Sequence, residues 1–119
     1  MDITPALPKG HHIIQSYGAG RFVLQGQEIQ TNLLVWAADY HTLEGAELTA
    51  PDIPSLINPL PELIIIGTGT SLKPIAPELK TALKNQNLSI ELMDTGAACR
   101  TYNVLIAEDR RVAALLTLV

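Results

Sequence analysis

This sequence predicts an α/β domain, a meander of short strands followed by a β-α-β-α-β unit, and three observations lead to it. The first third is rich in β-formers broken by glycine turns. The second half alternates β-branched apolar runs with stretches of helical periodicity. The 119 residues are 47% hydrophobic and 17% charged, enough for one domain over residues 1–119 with a substantial core.

His12 to Tyr17 reads as a strand, Gly18-Ala19-Gly20 as a turn and Arg21 to Gln25 as a second strand, after which Gly26-Gln27 turns the chain again. Thr31 to Ala38 is nearly all apolar and reads as a strand buried on both faces. Asp39 to Pro61 shows no periodicity, only acids, Thr, Gly and four prolines; it is expected to be a long surface connection with a helical turn near Ser55 to Ile57.

Leu63 to Ile66, ended by Gly67-Thr68-Gly69, is the pattern of a buried strand entering a loop. Pro77 to Gln86 follows as a helix: Pro77 suits the first turn, Glu78 and Lys84 complement the dipole, and Leu79 and Leu83 form an apolar stripe. Asn87 can stop it. Leu88 to Met93 is the next strand, and Asp94 to Gly96 the next loop, before a second helix and a last strand from Arg111 to Leu118. This order implies parallel neighbours joined by right-handed crossovers.

The stretch before that last strand leaves two readings open. "TYNVLIA" and "RVAALLTL" can pair as a hairpin around Glu108-Asp109. As a helix, the same stretch gathers Ala98, Cys99, Tyr102, Leu105 and Ile106 on one face and puts Arg100, Asn103 and Ala107 opposite. A strand would set Arg100, Tyr102 and Val104 side by side, so helix separates the chemistry better.

The formal charge is -4, and between Arg21 and Lys73 there is no Lys or Arg, while Glu28, Asp39, Glu44, Glu47, Asp52 and Glu62 fall there. Nucleic acid demands a basic stripe and is excluded as a partner. The acidic run reads as solvated loop rather than a docking surface for a basic partner. "MDITPALPKG" has neither the basic nor the apolar region of a secretory signal, and no apolar run approaches the ~20 residues of a membrane helix. Cys99 is the only cysteine and makes no intrachain disulfide. A reducing bacterial cytoplasm is the expected setting.

Asp94-Thr95-Gly96 is the tripeptide of the aspartic proteases, which need two such loops so that paired carboxylates share a proton. This chain has one, near its end, with a predicted helix directly behind it. Asp94 or Thr95 is instead expected to cap that helix, with Gly96 allowing the tight turn. "GTGTSLK", Gly67 to Lys73, approaches two nucleotide-binding motifs and satisfies neither: Leu72 stands where each needs glycine, and Pro74 where a P-loop needs Ser or Thr. Cys99 lacks a neighbouring base and reads as packing. Asp39-x-His41-x-x-Glu44 is too loose for a metal, and neither metal nor cofactor is expected. No catalytic residue is assigned. The candidate ligand or partner residues are Gly67, Thr68, Gly69, Asp94, Thr95, Gly96, Arg100, Thr101 and Asn103, around two loops that follow parallel strands at one edge of the sheet.

"SYGAGRF", "LLVW", "LIIIGTG", "PELKTALKNQ", "IELMDTGAACRTYN" and "RRVAALL" occur together and in order. From residue 13 onwards the chain resembles a widespread family of small bacterial and archaeal domains of unknown function, whose mitochondrial relatives are known as an assembly factor for respiratory complex I, the NADH dehydrogenase. The resemblance implies a three-layer α/β fold with a central mixed sheet and favours helix over hairpin. Where similar proteins often carry Glu-Gly-Arg, this chain has Glu108-Asp109-Arg110, and Asp109 tolerates a left-handed turn. No established catalytic residues come with the resemblance. With the lack of paired catalytic groups, it implies a non-enzymatic accessory protein that binds a protein partner, such as respiratory subunits or their assembly proteins. The competing expectation is a small-molecule-binding module or small enzyme using Gly67 to Thr70 and Asp94 to Gly96. A homodimer paired through the meander edge is a further expectation.

Overall fold

A computed structural model describes residues 1–3, 11–44 and 52–119. Three short strands, β1 (Ser16–Gly18), β2 (Arg21–Leu24) and β3 (Gln27–Ile29), form an antiparallel meander. β1 starts later than the β-forming run suggested, leaving Ile13 to Gln15 outside regular strand. β3 stands where the sequence predicted only a turn, because two of its three residues are exposed and its pattern carries no apolar repeat. Its place comes from pairing, with Phe22 opposite Ile29 and Leu24 opposite Gln27.

The main sheet has five strands: β4 (Asn32–Trp36), β5 (Tyr40–Leu43), β6 (Leu63–Gly67), β7 (Ser89–Met93) and β8 (Val112–Leu116). Their spatial order is β5-β4-β8-β6-β7. β8 runs parallel to β6 and antiparallel to β4, so the sheet is mixed. β5 corrects the expectation of an irregular connection from Asp39 onwards: only Leu43 of its four residues is buried, so the strand had no inward alternation to reveal it. The rest of that connection includes a short 3-10 helix at Ile53–Leu56, while residues 45–51 lie outside the described residues.

Among the described residues two α-helices complete the fold, α1 (Pro77–Asn85) and α2 (Thr95–Ala107). α1 begins on Pro77, and past its end Asn87 adopts φ +60° while the Leu88 N–H returns to the Leu83 carbonyl at 3.2 Å, closing the last turn. α2 decides against a hairpin, and Asp109 behind it takes the left-handed conformation, φ +58°.

Side chains alternate across the sheet, which places a core on each face and gives three layers. Ile64, Ile66, Leu34, Ala113 and Leu115 meet Leu79 and Leu83 of α1 on one face. On the other, Leu33, Val35, Ile65, Ala114 and Leu116 meet Ala98, Cys99, Tyr102 and Ile106 of α2, with Phe22 and Leu24 of the meander.

The face of α2 opposite that core is not polar throughout. Asn103, expected to point outward, is only 4% exposed, because the segment leading into β1 crosses that face. Its amide binds one buried residue twice: Oδ1 accepts from the Ile14 N–H at 3.0 Å, and Nδ2 donates to the Ile14 carbonyl at 2.7 Å. Beside it the Tyr102 hydroxyl donates to the His12 carbonyl at 2.6 Å.

Candidate functional site

The two glycine-containing loops do come together at the carboxyl ends of the parallel strands, and hydrogen bonds join them directly. The Thr95 N–H donates to the Gly69 carbonyl at 2.8 Å, and the Thr95 hydroxyl accepts from the Gly69 N–H at 2.9 Å. That hydroxyl then donates to the Thr117 carbonyl at 2.8 Å, and the Thr117 N–H donates to the Gly67 carbonyl at 2.9 Å. Thr95 is fully buried, so the bonds of its hydroxyl are made inside protein. A Cβ on Gly67 would stand 2.9 Å from the Thr95 Cα, which shows how closely the start of α2 is seated on the end of β6.

Thr68 turns its hydroxyl into its own loop, donating to the Ser71 carbonyl at 2.7 Å and accepting from the Lys73 N–H at 3.0 Å. The loop is thereby folded on itself. The N–H groups that would cradle a phosphate in such a loop are partly spent on internal bonds, and Pro74 supplies none.

Asp94 is the N-cap of α2, its Oδ1 accepting from the Ala97 N–H at 2.9 Å. Its replacement by Ala is expected to cost about 0.5–2 kcal/mol and by Asn less, since Asn still accepts the capping bond. Chemical denaturation of the three proteins measures this, and larger loss in Asn than in Ala would contradict the capping role. Should Asp94 activate water instead, the Asn variant would lose inhibitor-sensitive peptide hydrolysis at acid pH while keeping its fold.

Gly96 admits the Tyr17 ring, whose hydroxyl would lie 3.0 Å from a Cβ there. Arg100 donates to that same hydroxyl from the exposed side of α2. Thr101 is half-buried, and Asn103 is occupied by Ile14. The nine candidate residues therefore form a structural junction in which Arg100 and Thr101 alone keep appreciable exposure beyond the capping turn.

The buried titratable groups of α2 are held neutral. Burial pushes the Cys99 thiol up to about 12, outweighing the favourable Arg100 charge, so it carries no thiolate at neutral pH. Burial likewise raises Tyr102 well above the ordinary tyrosine value. Among the described residues no cluster of three or more His, Cys, Asp and Glu side chains has the placement to hold a metal ion.

A cleft that the sequence did not signal lies at the opposite end of the sheet. It encloses about 140 Å³ between Trp36, Pro59, Ile106, His11, Arg110 and Arg111. The buried Nδ1 of His11 has no hydrogen-bond partner among the described residues. Arg111 is engaged by Glu62, and the Trp36 indole N–H donates to the Asn58 carbonyl at 3.2 Å. These residues come from four separate stretches of chain, so no local motif could have announced them.

Comparison with known proteins adds three kinds of relative. The chain is 24% identical over 110 residues to a Xenopus tropicalis protein named NADH dehydrogenase [ubiquinone] 1 alpha subcomplex assembly factor 3, a match covering 87% of this chain and 59% of that protein. It therefore spans about three fifths of that relative's length. A 13 kDa major membrane protein of Francisella tularensis is 28% identical over 111 residues, covering 86% of this chain and 87% of its own. A solved structure described as an outer membrane protein from Bartonella henselae is 31% identical, with a TM-score of 0.76 over 92% of this chain and 96% of that one. Among the described residues of this chain, no helix is long and apolar enough to cross a membrane. A family profile described as "Protein of unknown function (DUF498/DUF598)" matches residues 14–117, and the chain belongs to that family.

Proposed function

We propose that the chain is a non-catalytic accessory protein of the bacterial cytoplasm that binds a protein partner during assembly of a respiratory NADH dehydrogenase. The observation that carries this reading is the closed junction between Gly67–Gly69 and Asp94–Gly96: where open α/β folds leave a ligand crevice, Thr95 fills it with hydrogen bonds to backbone. The name of the vertebrate relatives supplies the process. A small-molecule module built on those loops has less support, since a ligand would have to displace bonds that hold α2 to the sheet.

The test is to recover a tagged chain from its native host and to delete its gene. Co-recovery of respiratory subunits or their assembly proteins, with reduced NADH dehydrogenase activity on deletion, is the expected result. A chain that comes down alone, with activity intact in the deletion strain, overturns the proposal. Cell fractionation is decisive for the compartment, because two relatives carry membrane-protein names: a chain retained in washed outer membranes would not be cytoplasmic.

A further inference from the structure

Among the described residues β7 stands at one margin of the five-stranded sheet and pairs with β6 alone. The Ser89 N–H donates to the Glu62 carbonyl at 3.0 Å and the Met93 carbonyl accepts from the Thr68 N–H at 2.9 Å. In a parallel ladder the residues sharing that parity turn their backbone groups towards the neighbour, so those of Ile90 and Leu92 turn away from β6. Among the described residues no strand meets them.

The flank of that margin is shaped and charged. Ile90 and Leu92 put their side chains on the α1 face of the sheet, where with Pro74, Ile75, Lys80 and Lys84 they line a groove of about 550 Å³. Neither lysine has an ion-pair partner among the described residues, and no acidic residue lines the groove, although the chain as a whole carries a charge of -4. Sheet margins are commonly blunted by proline, a bulge or charged side chains. β7, Ser-Ile-Glu-Leu-Met, has no proline and no bulge, its single charge is Glu91, and its register with β6 runs unbroken from Ser89 to Met93.

We propose that the edge of β7, unpaired among the described residues, is a docking site for an extended, acidic segment of the partner protein, which joins the sheet as an additional strand. This deepens the binding role proposed above and rests on it. Backbone bonds to Ile90 and Leu92 supply a sequence-independent anchor, and the groove selects the side chains at alternate positions. Positions facing α1 meet Lys80 and Lys84 over an apolar floor and carry the acids. Positions on the other face meet Glu91, which is in register with Ile65 of that face, and acids are disfavoured there. A second copy of this chain fits poorly, because edge-to-edge pairing about a two-fold axis sets both α1 helices on one face and crowds their lysines together.

The test places a photo-crosslinking amino acid at Glu91, and at His41 on the opposite margin as control, in the full chain expressed in its native host, and maps adducts to peptide level. Adducts from position 91 are expected in one short partner segment with acidic residues at alternate positions. Their yield should fall at least tenfold in Lys80→Glu/Lys84→Glu, a surface change that spares the core, and in Ile90→Pro, which removes an outward N–H without touching the β6 ladder. Adducts confined to another copy of the chain, or to segments without acids, overturn the inference. So does a yield that ignores the lysines, or an absence of adducts while the tagged chain still recovers a partner; that last result leaves the binding role standing and removes only its location. Recovery of no partner by either route removes both.

Discussion

Thr95→Val is expected to destabilise the protein by about 2–5 kcal/mol, because it leaves the buried Gly69 N–H and Thr117 carbonyl without the hydroxyl that joins them. For a domain of this size that corresponds to a fall of roughly 10 °C or more in melting temperature. Thr95→Ser keeps the hydroxyl and loses one methyl, so it should cost about 1 kcal/mol. Calorimetry of the three proteins separates the two contributions. Equal losses in Val and Ser would mean that packing, not the hydrogen-bond relay, holds the loops together. A near-native melting point in Val would mean that the junction can open without penalty, and the ligand-binding alternative would regain its space.

Asn103→Leu should be comparably damaging, at about 2–5 kcal/mol, since Ile14 would keep a buried N–H and carbonyl with no partner. Its signature differs from that of Thr95. Asn103 ties the segment entering the meander to α2, so native-state hydrogen exchange should show Ile14 and the β1–β2 amides losing protection ahead of β4, β6 and β8. Uniform loss of protection over the whole chain would show that the meander and the main sheet open only as one unit.

Much of the architecture is legible in the sequence because its signals are local. Leu63 to Ile66 followed by glycine, the proline-started α1 and the Asp94 cap each declare themselves within a few residues. β3 and β5 are not legible, since each buries a single side chain and owes its existence to a neighbour's ladder. Asn103 misleads for a related reason. A helical projection assigns a polar residue to solvent, whereas here another segment of chain, 89 residues away in sequence, lies over that face. The candidate loops show the same division. Their position at the strand ends is readable, but their closure depends on Thr95 meeting Gly69 and Thr117, contacts that no local spacing encodes.

The place of β8 in the sheet has a consequence for how the chain is made. It is the middle strand, with β4 on one side and β6 on the other, yet every other strand of the sheet is synthesised before it. At ~5–20 residues per second, translation separates β4 from β8 by on the order of 10 s. Until β8 is available, β4 can pair only with β5 and β6 only with β7, and two-stranded pairs are marginally stable at best, so the flanks that Val112 to Leu116 covers in the folded sheet have no partner. The five-stranded sheet therefore closes in one late step, when its central strand joins the two pairs that precede it in sequence.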